Sequence, residues 1–127
     1  MEEALRSRLL NDGAVAALVD DRVDWGVRKE GDPYPAVCLT LVSDPRPQDY
    51  KGVVGMRETR VKLDCYAEER DEVKAVREAV IAAILGGGTF YGTKFNRAFI
   101  DAVRDLGALA ATGFVHRDSI DALIWHN

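Results

Sequence analysis

Strict two-residue alternation that runs almost directly into a helical stripe is the feature that most constrains this chain. From Arg57 to Ala67, Thr59, Val61, Leu63 and Cys65 share one face, and Arg60, Lys62 and Asp64 share the other. Successive side chains of a strand point to opposite sides, so this segment predicts a strand with one buried face. Past Ala67 the period changes. Val73, Val76, Val80 and Ile84 recur at helical spacing, and Ala79 and Ala83 widen the stripe, which predicts a helix over Arg70–Leu85. Gly86-Gly87-Gly88 ends it, with Gly86 expected as a left-handed cap. A one-sided strand beside a one-sided helix buries both apolar surfaces when the helix lies across a sheet.

The remaining elements are shorter. Glu2–Asn11 predicts a helix, with Leu5 and Leu9 on one face and Glu2 and Glu3 in the first turn, where the helix dipole favours anions. Asp12 is placed to cap a second short helix, Ala14–Val19, with Val15 and Leu18 facing inward. Arg22–Gly26 is a short strand, and Val27–Tyr34 is a loop around Gly31-Asp32-Pro33. Pro35 opens the strand Ala36–Val42, since proline is tolerated at a strand's first residue. Ser43–Met56 is a long loop, and Gly87–Lys94 a linker. Phe95–Arg104 and Phe114–Trp125 are strands joined by a turn that holds Gly107 and Gly113. The order predicts an α+β fold. It comprises a mostly antiparallel sheet of about four to five strands, one long helix on one face and a short N-terminal helical arm, in a single domain over residues 1–127.

Register follows from burial. If Ala36–Val42 and Arg57–Ala67 pair, Val37, Leu39 and Leu41 must share a face with Val61, Leu63 and Cys65. That sends Cys38 to the opposite face, beside Asp64. A one-residue slip would join the cysteines but drive Leu39 and Leu41 outward, so two free thiols are expected.

Several function classes fall away. The longest apolar run, Ala79–Leu85, is far shorter than the roughly 20 residues of a membrane span. No basic region leads an apolar stretch at the N-terminus, so no secretory signal is expected, and two cysteines cannot build a disulfide framework, which points to an intracellular origin. The net charge of −4 lacks the basic footprint of a nucleic-acid binder.

Chemical motifs are equally sparse. GGTFYGTK at Gly87–Lys94 reverses the lysine–threonine order of a phosphate-binding loop and follows a helix where that loop follows a strand. His116 and Asp118 share a strand face, with Asp121 and the penultimate His126 nearby, but the ligand set is incomplete and an exposed strand histidine is expected. Ser7, Ser43 and Ser119 lack a nucleophile elbow, and Cys65 on the core face should be inert. Trp25, Tyr34, Tyr66 and Trp125 are expected as half-buried strand ends. No catalytic, cofactor or metal residue is assigned.

The long loop is the exception. It spans 14 residues, and loops of that length in compact domains are usually functional or disordered. Arg46, Asp49, Tyr50 and Lys51 on it are expected to form an assembly element, with Tyr50 as apolar anchor and Arg46 and Lys51 as charged guides.

Four segments carry a resemblance: MEEALRSRLLNDGAVAALVDDRVDWG, then YPAVCLTLVSD, then RETRVKLDCYAEERDEVKAVREAVIAAIL, and finally DSIDALIWHN. In order and spacing they resemble, over residues 1–127, the tail-completion or tail-terminator proteins of long-tailed bacteriophages and prophage-derived gene transfer agents. AFIDAVRDLGALAATGFVHR departs from that pattern in its richness in Ala and Gly. The resemblance implies a structural virion protein without cofactor or reaction. It implies a hexameric ring at the head–tail joint that caps the tail tube protein, meets a head-side connector protein and passes DNA through its lumen without specific binding. The subunit would be made in the bacterial cytoplasm, with no membrane contact. A closed ring needs complementary edges, and Arg57, Glu58, Arg60 and Lys62 against Asp44, Asp49 and Asp64 are expected to supply charge matching. Two other readings are a small non-catalytic ligand-binding α+β domain and a small enzyme using Cys or carboxylate chemistry, the latter opposed by the missing triad signature.

Overall fold

The computed structural model describes residues 2–26, 33–44, 48–49, 52–53, 57–86, 88–90, 92–110 and 113–126. Most of the loop expected at Val27–Tyr34 lies outside these.

The helix α1 (Glu2–Asn11) buries Leu5 and Leu9, as their spacing requires. Asp12 separates it from α2 (Gly13–Val19), and its carboxylate accepts from the backbone N–H groups of Ala14 and Val15 at 3.1 Å each. That satisfies two of the donors a helix start leaves unpaired. Val15 and Val19 are buried, and Leu18 packs partly against the core.

The strands are β1 (Val23–Trp25), β2 (Ala36–Ser43), the short pair β3 (Gln48–Asp49) and β4 (Gly52–Val53), then β5 (Arg57–Ala67). After α3 (Arg70–Leu85) come β6 (Gly88–Phe90), β7 (Thr93–Asp105), β8 (Ala108–Ala110) and β9 (Gly113–His126). The main sheet runs β1-β2-β5-β9-β7-β6, with β8 on β9 and the β3–β4 ladder separate. Only the β1–β2 pairing is parallel among the described ladders. The sheet is therefore wider than the four to five strands expected. The additions are β6 and β8, of three residues each, too short for alternation to reveal.

The predicted register holds. Val37 faces Cys65, Leu39 faces Leu63, Leu41 faces Val61, and Cys38 faces Asp64. β9 continues the core face: Val61 pairs with Ala122 and Leu63 with Ile120. Val73, Val76, Val80 and Ile84 of α3 close over these residues in one buried cluster, which α1 and α2 extend with Leu5, Leu9, Val15 and Val19. All three helices thus contribute to the apolar layer, where a single long helix was expected. Burying one such side chain contributes about 1.5–3 kcal/mol. Leu41 is the exception among the predicted core positions at 41% exposed, because it lies past the end of β1 on the outer half of β2.

Gly86 does not take the left-handed conformation expected of it; its φ is −74°. Its lack of a side chain serves packing instead. A Cβ there would stand 2.7 Å from Arg8 Nη2. Arg8, from the last turn of α1, donates from Nε to the Ala83 carbonyl at 2.6 Å and lies over the Phe95 ring at 5.7 Å. A cation thus caps the negative end of α3. Burial lowers the Arg8 pKa, and the nearby Asp12 carboxylate works against that.

The described residues of the expected linker Gly87–Lys94 are instead paired, Gly88 with Phe95, Thr89 with Lys94 and Phe90 with Thr93. Gly92 supplies the positive φ, +78°, that a tight turn needs. The turn expected between the last two long strands contains β8, where Ala108 pairs with Val115 and Ala110 with Gly113. Among the described residues, no helix is long and apolar enough to cross a membrane.

Candidate assembly surfaces

Of the four loop residues singled out, Arg46, Tyr50 and Lys51 lie outside the described residues. Asp49 lies in β3, opposite Gly52, so the loop's described part is a short antiparallel ladder. Its base is held firmly. Asp44 pairs with the Arg57 guanidinium and accepts from Thr59 Oγ1 at 3.0 Å. The hydroxyl has one proton, given to a carboxylate that only accepts, so Thr59 accepts in turn from His126 Nε2 at 2.6 Å. That fixes the proton on Nε2. His126 is wholly buried, with its ring 6.4 Å from that of Phe95. The penultimate His126 is thus a core residue, where β9 ends between β5 and β7. His116 is half-buried, opposite Ala67.

Asp118 is fully buried on the helix side of the sheet and takes two guanidinium groups from α3. Arg70 Nη1 lies 2.7 Å from Oδ1 and Arg77 Nη1 2.8 Å from Oδ2. The two arginines stand two turns apart on the helix face over β9, which sets the geometry. Sequence reasoning placed Asp118 with a histidine. The signal for its real partners was the i, i+7 arginine pair beside an inward-facing strand carboxylate. Cys65 pairs with Asp118 across the ladder. Burial pushes the Cys65 thiol well above its ordinary range, and the Asp118 and Asp64 carboxylates add to that. Both cysteines are free and buried. Cys65 is therefore expected to react with a thiol reagent only as fast as the chain unfolds, which kinetics of labelling with and without urea would show.

The opposite sheet face carries mixed charge. Arg60 Nη1 lies 2.9 Å from Asp101 Oδ2, and Arg104 Nη1 lies 2.6 Å from Asp121 Oδ2. Such exposed pairs contribute about 0–1 kcal/mol and mainly order side chains. Two arginines expected to meet a neighbouring subunit, Arg57 and Arg60, are thus paired within their own chain, because each lies beside an acidic residue that the sheet brings near. Asp64, expected to do likewise, is buried. The aromatic residues do not gather. Trp25 donates to the Glu2 carbonyl at 2.9 Å, Tyr34 and Tyr66 rings lie 6.4 Å apart, and Trp125 stands opposite Glu58.

Among the described residues, no group of three or more His, Cys, Asp or Glu is placed to hold a metal ion. A groove along α1, lined by Glu3, Arg6, Ser7, Leu10 and Asn11, gathers no nucleophile–base pair. The exposed large apolar side chains among the described residues are Leu41, Val42, Leu85, Phe99 and Val103.

No curated protein matches this chain. A chain in the solved virion of a native gene transfer agent particle matches in structure with a TM-score of 0.64 at 15% identity, covering 100% of this chain and 95% of that one. At that identity the likeness speaks for the fold. The family model for tail completion protein gp17 matches residues 3–118, nearly the whole chain. This chain belongs to the tail completion protein gp17 family.

Proposed function

We propose that this chain is a structural virion protein, the tail terminator, which assembles as a hexameric ring at the head–tail joint. The ring caps the tail tube, meets the head-side connector and passes DNA through its lumen. The family match over residues 3–118 carries this reading. The fold shared with a chain of a gene transfer agent virion supports it. So do the large apolar side chains left exposed on the described surface, Leu41, Val42, Leu85, Phe99 and Val103. The net charge of −4 suits a conduit, since a lumen that does not neutralise phosphates does not hold the passing duplex.

Within this role the loop between β2 and β5 is the assembly element, with Tyr50 as anchor, Arg46 and Lys51 as guides, and Asp49 in its short ladder. The Asp44–Arg57 pair and the Thr59–His126 bond lie at its base. Replacing Pro45–Val54 by a short Gly-Ser linker leaves that base and the core intact. The shortened subunit is expected to keep its melting temperature within a few degrees and to fail in producing capped tails, scored by negative-stain counts of joined particles. Normal particle yield with the shortened loop would remove the loop's role.

A further inference from the structure

Four of the five large apolar side chains exposed among the described residues sit on two strands. Leu41 and Val42 lie on β2, and Phe99 and Val103 on β7. Each strand loses its outer neighbour there. β1 covers β2 only from Val37 to Leu39, and β6 covers β7 only from Thr93 to Phe95. Beyond those points, among the described residues, one edge of each strand faces no other strand. Unpaired edges with apolar side chains are templates for strand addition, and folds that avoid it place charge or proline there. β2 has neither from Leu39 to Ser43.

The two edges cannot satisfy each other within one chain. They lie on opposite sides of the β2-β5-β9-β7 unit, three strand spacings or about 14 Å apart. A closed ring makes heterologous contacts, in which one side of a subunit meets the opposite side of the next. Resting on the ring reading above, we propose that the free edge of β7 in one copy pairs with the free edge of β2 in the next.

Direction and pleat agree with this. Strands β2, β5, β9 and β7 alternate in direction, so β7 beside the next β2 continues the antiparallel pattern. β7 is bulged between Phe95 and Arg97 and between Ile100 and Ala102, which leaves Ala102–Asp105 as its regular free run. Of that run, Ala102–Arg104 can lie beside the open stretch of β2 that begins at Thr40, which carries a bulge of its own between Leu41 and Ser43. The pleat sets the register, because directly opposed residues share a face: Leu41 takes Val103, the apolar residue of that face on β7, which seats Arg104 opposite Thr40, the first position past the end of β1, and leaves Asp105 beyond the paired run. Leu41 shares the face of Val61, and Val103 that of Ile120, both of which belong to the helix-side core. The two exposed side chains therefore meet on one face.

The test uses Leu41→Cys and Val103→Cys in the full chain. Within one chain these positions are farther apart than the 7 Å limit between disulfide-linked Cα atoms, and the native thiols are buried. Mild oxidation or a short bismaleimide is applied, and native mass is measured in parallel. The double variant is expected to give a covalent ladder up to six chains. The two single variants, mixed, are expected to give heterodimers and nothing longer, and neither alone should dimerise. Homodimers of one single variant, or a hexameric native mass without the ladder, would overturn the edge pairing and leave the ring. A monomeric mass at every concentration with no cross-link would overturn both.

Discussion

Replacing Leu63 by Ala is expected to lower the unfolding free energy by about 4 kcal/mol, in the upper part of the range for a leucine removed from a rigid core. Leu63 has no exposed surface. It stands in β5 between Leu39 on β2 and Ile120 on β9, under the Val76–Val80 stripe of α3. Strands hold it on both sides and a helix roofs it, so the neighbours have little freedom to fill the space. The cavity term then adds to the lost transfer energy. Urea unfolding should show a lower midpoint with an unchanged slope. A shift within experimental scatter would mean that the helix packs elsewhere.

The second large effect is at Asp118. Its carboxylate is buried completely, whereas Arg77 is 16% and Arg70 44% exposed. Asp118→Ala removes the acceptor of two charge-assisted bonds, and losing one partner of a buried pair typically costs 3–5 kcal/mol. The expected loss is about 3 kcal/mol, at the low end, because Arg70 can turn toward water and toward Asp105, already 3.8 Å away. Arg77→Met alone should cost less, and the double variant should fall short of the sum by about 1 kcal/mol or more. Full additivity would show that the two groups act independently. The pair joins α3 to β9, so its loss should also raise hydrogen exchange across the β7–β9 ladder.

Long, strongly periodic segments were legible and short or non-local features were not. Val61, Leu63 and Cys65 announced β5 and its register with β2, because a one-residue slip would have exposed Leu39. Val73, Val76 and Val80 announced α3 for the same reason. β3, β4, β6 and β8 span two or three residues each, too few for a period to register, and they form because a neighbouring strand offers bonds. Gly86 illustrates a different limit. A glycine after a helix signals a left-handed cap by local chemistry, but here its missing side chain admits Arg8, 78 residues away in sequence. His126 likewise is penultimate in the sequence, and is buried because β9 ends between β5 and β7. The loop residues proposed for assembly were chosen for length and charge, signals that do not depend on a defined partner.

The central claim is the ring at the head–tail joint, and an electron cryomicroscopy reconstruction of the intact particle tests it most directly. The expected map shows six copies of this fold in one ring between the last tail-tube ring and the head-side connector, around an open channel. A joint built from another protein, with this chain elsewhere or absent from the particle, would contradict it.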